Sequence, residues 1–105
     1  MLIIIERDNG REVDITCGES LQIILSENAT TGYRWTIDHY NKEIFELVTS
    51  EGDYLSNPIG SGGEIKLIFK TKKKGRGEIL LKNWRHWEGE SSVISRFGIV
   101  VHVKT

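Results

Sequence analysis

Thr30 and Thr31 stand side by side ahead of Gly32 and Tyr33 in the stretch Asn28, Ala29, Thr30, Thr31, Gly32, Tyr33. Two β-branched side chains make a stiff segment, their hydroxyls exchange hydrogen bonds with polar groups of a partner, and the glycine permits a sharp turn. Gly60, Ser61, Gly62 and Gly63 form a second cluster. It resembles a phosphate cradle only superficially, because the lysine and hydroxyl residue that complete a P-loop do not follow. A third cluster, Arg85, His86 and Trp87, offers a cation and a rigid aromatic. These are residues for gripping a surface rather than for breaking bonds.

Catalytic chemistry requires a nucleophile with a base, an acid/base pair or a metal, and no such set is assembled from neighbouring stretches. His39, His86 and His102 fall on a turn, a loop and a strand without ligand spacing. Cys17 has no base near it in sequence and reads as an inert turn or core residue. The acidic residues read as outward strand and turn positions. No cofactor or metal is expected. Asn28, Ala29 and Thr30 also fit a glycosylation acceptor pattern, without consequence in a cytosolic chain.

The chain has 105 residues, 38% hydrophobic and 28% charged. That supports one domain, residues 1–105, burying roughly two-thirds of the surface its unfolded chain exposes. A net charge of −1 argues against a dedicated nucleic-acid binder, which needs surplus cations. The basic run Lys72 to Arg76 lacks stacking aromatics and reads as a solvated turn. With one cysteine, no intramolecular disulfide forms. The longest apolar run near the amino end, Leu2 to Ile5, is too short for a signal peptide or a membrane span, so the expected setting is cytosolic unless a leader has been removed.

The elements that must position the three clusters are short alternating segments separated by glycine-rich or polar breaks. Leu21, Ile23 and Leu25 share one face; so do Tyr33, Trp35 and Ile37, with Arg34, Thr36 and Asp38 opposite. Phe45 and Leu47 are expected on one side of a short strand, Ile44 and Val48 on the other. Ile65, Leu67 and Phe69 alternate, as do Phe97, Ile99, Val101 and Val103. Asn9 and Gly10 predict a tight hairpin after the first apolar run. Counting from residue 11, seven strands are expected at 11–16, 20–25, 33–38, 44–49, 64–71, 77–82 and 93–104, or eight with the first run. The fold class is therefore all-β, an immunoglobulin-like antiparallel sandwich. If successive strands reverse direction, the connections 26–32, 50–63 and 83–92 meet at one end, and those are the three that carry the unusual clusters.

In that order and placement the clusters resemble the chagasin family of cysteine-protease inhibitors. Its members carry an Asn-Pro-Thr-Thr-Gly-Tyr motif, a Gly-x-Gly-Gly motif and an Arg-Pro-Trp motif on an immunoglobulin-like sandwich. The first is met by Asn28, Ala29, Thr30, Thr31, Gly32 and Tyr33, with Ala29 in place of proline. The second is met by Gly60, Ser61, Gly62 and Gly63, and the third by Arg85, His86 and Trp87, with His86 in place of proline. The resemblance implies a monomer that is not an enzyme and that reversibly blocks papain-family cysteine proteases. The threonine loop would enter the cleft, the other two would brace its walls, and Trp87 would be an anchor. Trp84, at a strand end, stays open between core and surface. Losing a proline at a compatible site costs about 0.4–1 kcal/mol through chain entropy, so the two departures imply somewhat looser loops, weakening binding by about a few-fold per site at most without abolishing it. The rival reading from another class is an adhesion module whose loops bind a protein or a glycan.

Overall fold

The computed structural model of the chain describes residues 1–27, 31–53 and 63–105. Among these, eight strands form two four-stranded sheets: β1 (Leu2–Ile5), β2 (Glu12–Thr16), β3 (Ser20–Glu27), β4 (Arg34–Tyr40), β5 (Phe45–Asp53), β6 (Gly63–Thr71), β7 (Gly75–Trp84) and β8 (Ser95–Lys104). One sheet has the order β1-β3-β6-β5 and the other β2-β8-β7-β4. The connection from β3 to β4 therefore passes between sheets, whereas β5–β6 and β7–β8 are hairpins within them.

The period-two pattern decides what fills the space between the sheets. Leu21, Ile23 and Leu25 of β3, with Leu67 and Phe69 of β6, face Ile79 and Leu81 of β7 and Phe97, Ile99, Val101 and Val103 of β8, all buried. Phe69 is the hub of the aromatics. Tyr40 meets its ring edge-on at 5.2 Å and Phe45 at 6.2 Å, the tilted arrangement that the ring quadrupole favours. Arg34, Thr36 and Asp38 face away from the core, as their alternation predicts.

Two local expectations are overturned. Asn9 and Gly10 do not close a hairpin. β1 pairs in parallel with β3, and β2 in parallel with β8, in opposite sheets, so the chain crosses the sandwich through a 3₁₀ turn at Glu6–Asp8. Asn9 instead pins that crossing to β8, accepting from the Gly98 N–H at 2.8 Å and donating to the Arg96 carbonyl at 3.3 Å. Asp8 accepts from the Ile5 N–H at 2.9 Å, and this bond, aided by Arg11, holds its carboxyl below the usual range. Ile44 does not sit opposite Phe45: it precedes β5 in a turn, outside the alternation, and its side chain is buried in the core. Val48 is exposed as expected.

The end of the sandwich away from the three clusters is closed by a neutral group. Buried Thr71 accepts from the Gly18 N–H at 2.9 Å and donates to the Glu19 carbonyl at 2.8 Å. Thr71→Val keeps the shape but leaves the Gly18 N–H without its acceptor. It is expected to cost about 1–3 kcal/mol, measured by urea denaturation, with no effect on the opposite end of the molecule.

Candidate functional site

The strand pairings bring the flanks of the three connections to one end. Glu27, the last residue of β3, pairs with Gly63, the first of β6. Asp53, at the close of β5, pairs with Glu64. In the other sheet Arg34 pairs with Trp84, and Asn83 with Ser95. Of the residues expected to form the site, Asn28, Ala29 and Thr30 of the first connection and Gly60, Ser61 and Gly62 of the second lie outside the described residues. Thr31, Gly32, Tyr33, Gly63, Arg85, His86 and Trp87 lie within them. Gly63 is a buried strand residue rather than part of a loop tip.

The first and third connections are locked together. The Arg85 guanidinium donates to the Thr31 carbonyl twice, from Nε at 3.0 Å and from an Nη at 2.8 Å. The same cation lies 4.3 Å over the Tyr33 ring and is met from its own loop by Glu88 at 3.5 Å. A planar fork serves this arrangement better than a point charge, because two of its N–H groups converge on one carbonyl oxygen while the cation sits over an aromatic face. Arg85 is thus committed to holding its neighbour loop.

Trp87 completes the lock. The backbone at Gly32 has φ of 81°, and a Cβ there would stand 2.9 Å from the Trp87 ring. Glycine is needed both for the left-handed conformation and for the close approach of the indole. Trp87 nevertheless remains 61% exposed, and His86 packs edge-on against it at 5.2 Å. One rigid apolar surface is therefore presented to solvent beside exposed Thr31.

Several residues that sequence reasoning passed over shape this end. In the third connection, two 3₁₀ turns at His86–Glu88 and Glu90–Ser92 are closed by Ser92. Its Oγ accepts from the Arg85 N–H at 3.0 Å and lies 2.7 Å from the Gly89 carbonyl. Lys82, on the outer face of β7, is buried. It pairs with Glu90 and with Asp38 at 3.7 Å, and its ammonium stands 3.7 Å over the Trp84 ring. Trp84 is half-buried on that outer face, its Nε1 donating to Thr36 Oγ1 at 3.0 Å, which takes it out of the core. Beneath the first connection, the Glu27 carboxylate accepts from the Trp35 N–H at 2.9 Å and meets Arg34 at 3.5 Å. The Trp35 indole donates to the Ser26 carbonyl at 2.9 Å. A glutamate closing an apolar alternation was the available signal, since an inward parity places its carboxylate between the sheets.

No group of three or more His, Cys, Asp or Glu among the described residues is arranged to hold a metal ion. His102 pairs with Glu12 at 2.7 Å on the outer face of the β2–β8 pair, and Cys17 is half-buried and unpaired. What this end offers is a stiff, partly apolar projection stabilised from within.

Residues 14–101 match the family described as Chagasin family peptidase inhibitor I42. The chain belongs to this family of peptidase inhibitors. It is 30% identical over 96 residues to chagasin of Trypanosoma cruzi, an alignment covering 87% of each chain. The fold is shared with a cysteine protease inhibitor of Entamoeba histolytica at a TM-score of 0.87 and 24% identity, covering 98% of this chain and 95% of that one. It is shared also with the inhibitor PbICP-C, solved in complex with falcipain-2, at a TM-score of 0.73 and 19% identity, covering 99% and 100%. No helix of the described chain is long and apolar enough to cross a membrane.

Gly32→Ala is expected to destabilise the protein by about 1–2 kcal/mol, because a Cβ disfavours the left-handed backbone. It should also turn the indole of Trp87 off the loop, seen as a shift of that indole N–H resonance with the other two tryptophans unmoved. The Lys82 clamp should be pH-dependent. The hydrogen bond from Lys82, then that from Arg96, holds the Glu90 carboxyl below its ordinary value of 4.5. With the folded value depressed, the clamp contributes fully above 4.5 and is lost as pH falls through the lower folded value. A carboxyl titration of Glu90 by NMR checks this; substitution Lys82→Met should return it toward the ordinary range.

Proposed function

We propose that this chain is a reversible, non-covalent inhibitor of papain-family cysteine proteases, acting as one monomeric domain over residues 1–105 without a cofactor. The observation that carries the reading is the lock between Arg85 and the Thr31 carbonyl, with Trp87 laid over Gly32. A loop held in place at Thr31 and Gly32 loses less freedom on entering a cleft, so more of the contact energy appears as affinity. Thr30 and Thr31 would sit at the tip of the wedge, their methyls filling space and their hydroxyls meeting polar groups at the catalytic centre. Asn28, Ala29, Gly32 and Tyr33 would shape that loop. Gly60, Ser61, Gly62 and Gly63 would let a second backbone approach one wall, while Arg85, His86 and Trp87 brace the other.

The relatives support the choice of target. An inhibitor with this fold acts on cysteine proteases by its description, and another was solved with falcipain-2 bound. A projection that offers an exposed tryptophan and a hydroxyl-bearing turn, without a nucleophile, suits occlusion rather than turnover. The cytosolic setting is part of the same proposal, in keeping with one free thiol and no disulfide.

Titration against papain tests the reading. Competitive inhibition below about 1 µM is expected, and none at about 10 µM would instead favour an adhesion module. Thr31→Asp should weaken inhibition by placing a charge in a tight cleft, and Trp87→Ala should cost roughly 1–3 kcal/mol of binding if the indole is an anchor. Lys73→Ala, at the far end, should leave inhibition unchanged.

A further inference from the structure

The proposed protease-blocking surface is held by a carboxylate that none of its motifs contains. We infer that Glu27 is the positioning residue of the inhibitory end, fixing the strand ends that carry the first loop and the base of the second. The inference rests on the inhibitor reading above.

Glu27 ends β3 and its side chain is only 1% exposed. An acidic group is rarely buried so completely without a task, because removing its charge from water is costly unless hydrogen bonds and a counter-charge answer it. Both are present. Oε2 accepts from the Trp35 N–H at 2.9 Å and Oε1 faces Arg34 at 3.5 Å. Those two residues open β4, so one carboxylate joins the strand that enters the first loop to the strand that leaves it, across the gap between the sheets. The neighbouring Ser26 carbonyl receives the Trp35 indole N–H at 2.9 Å, giving a second tie at the same level.

The same residue reaches the second loop through the backbone. Glu27 pairs with Gly63, which opens β6, so the ends of both loops are set against one side chain and one ladder position. On the third side, Arg34 pairs with Trp84, immediately before Arg85. Glu27 is not itself one of the proposed contact residues, and its described ties to the first connection run through Trp35 and Arg34. If the competent loop shape is populated only fractionally, apparent affinity falls by that fraction. Removing the acceptor beneath the loop should lower that fraction.

The test uses the full chain with papain as the probe. Glu27→Ala leaves the Trp35 N–H without its acceptor and is expected to weaken inhibition about tenfold or more. Glu27→Gln keeps an acceptor but loses the charge opposite Arg34, and should weaken it a few-fold. Both should speed amide exchange across residues 32–35. Thr71→Val is the control for stability alone, since it removes a comparable buried tie at the far end and should leave both inhibition and exchange at 32–35 as in the wild type. If Glu27→Ala does not fold, Glu27→Gln decides. Wild-type inhibition and exchange in the Glu27 variants, or equal loss of inhibition in Thr71→Val, overturns the inference. Failure of the unmodified protein to inhibit papain would sink the inhibitor reading instead, and the exchange rates alone would then decide whether Glu27 holds the loop.

Discussion

A carbonyl oxygen at Thr31 is gripped by two N–H groups of one guanidinium from a connection more than fifty positions further along the chain. The arrangement of the described residues at this end of the molecule depends on that contact. The connection from β3 to β4 changes sheets, and Thr31 and Gly32 lie outside both ladders. Arg85 restrains them from outside. It acts because it is restrained in turn: Ser92 closes its backbone, Glu88 meets its charge and Tyr33 lies flat beneath it.

The two ends of the sandwich are built from different chemistry. Neutral Thr71 secures the far end, through a hydroxyl shared among backbone groups. The end proposed to block the protease uses buried or half-buried charge: Glu27 between the sheets, and Lys82 beneath Glu90 and Trp84 on the outer face. Charged hydrogen bonds are stronger and more directional than neutral ones, and they are severe on any arrangement that leaves a partner unanswered. They therefore select one loop shape among several that apolar packing alone would tolerate. That selection is what an occluding wedge requires.

Much of the framework was legible in the sequence because burial of one face of a strand imposes a period of two. Leu21, Ile23 and Leu25, or Phe97, Ile99 and Val101, announce their direction without further information, and the direction of successive strands then collects three connections at one end. Asn9 and Gly10 misled because their turn chemistry is local, whereas the pairing of β1 with β3 and of β2 with β8 is decided by edges far away in sequence. Ile44 escaped the alternation by lying in a turn, yet it still reached the core. The inward parity of Glu27 was legible after Leu21, Ile23 and Leu25, but its partners were not, and Lys82 and Ser92 were illegible for a related reason. Each earns its place through partners on another element, and composition carries no record of partners. Trp84 was ambiguous in the sequence and is resolved by one hydrogen bond to Thr36 and one cation over its ring.

The departure at His86 shows how rigidity moves from the backbone into packing. A proline between Arg85 and Trp87 would fix one dihedral angle by covalent geometry. His86 leaves that angle free but packs at nearly right angles to the Trp87 ring, 5.2 Å between centroids, while the indole also approaches Gly32 so closely that a Cβ there would stand 2.9 Å from it. The restraint lost from the backbone is thus regained as a packed cluster of three components, histidine, tryptophan and glycine backbone, drawn from two connections. Such a cluster is firm only when all three are present. It makes the third connection's shape conditional on the first in a way that a proline would not, so the two connections form a single structural unit rather than two independent ones.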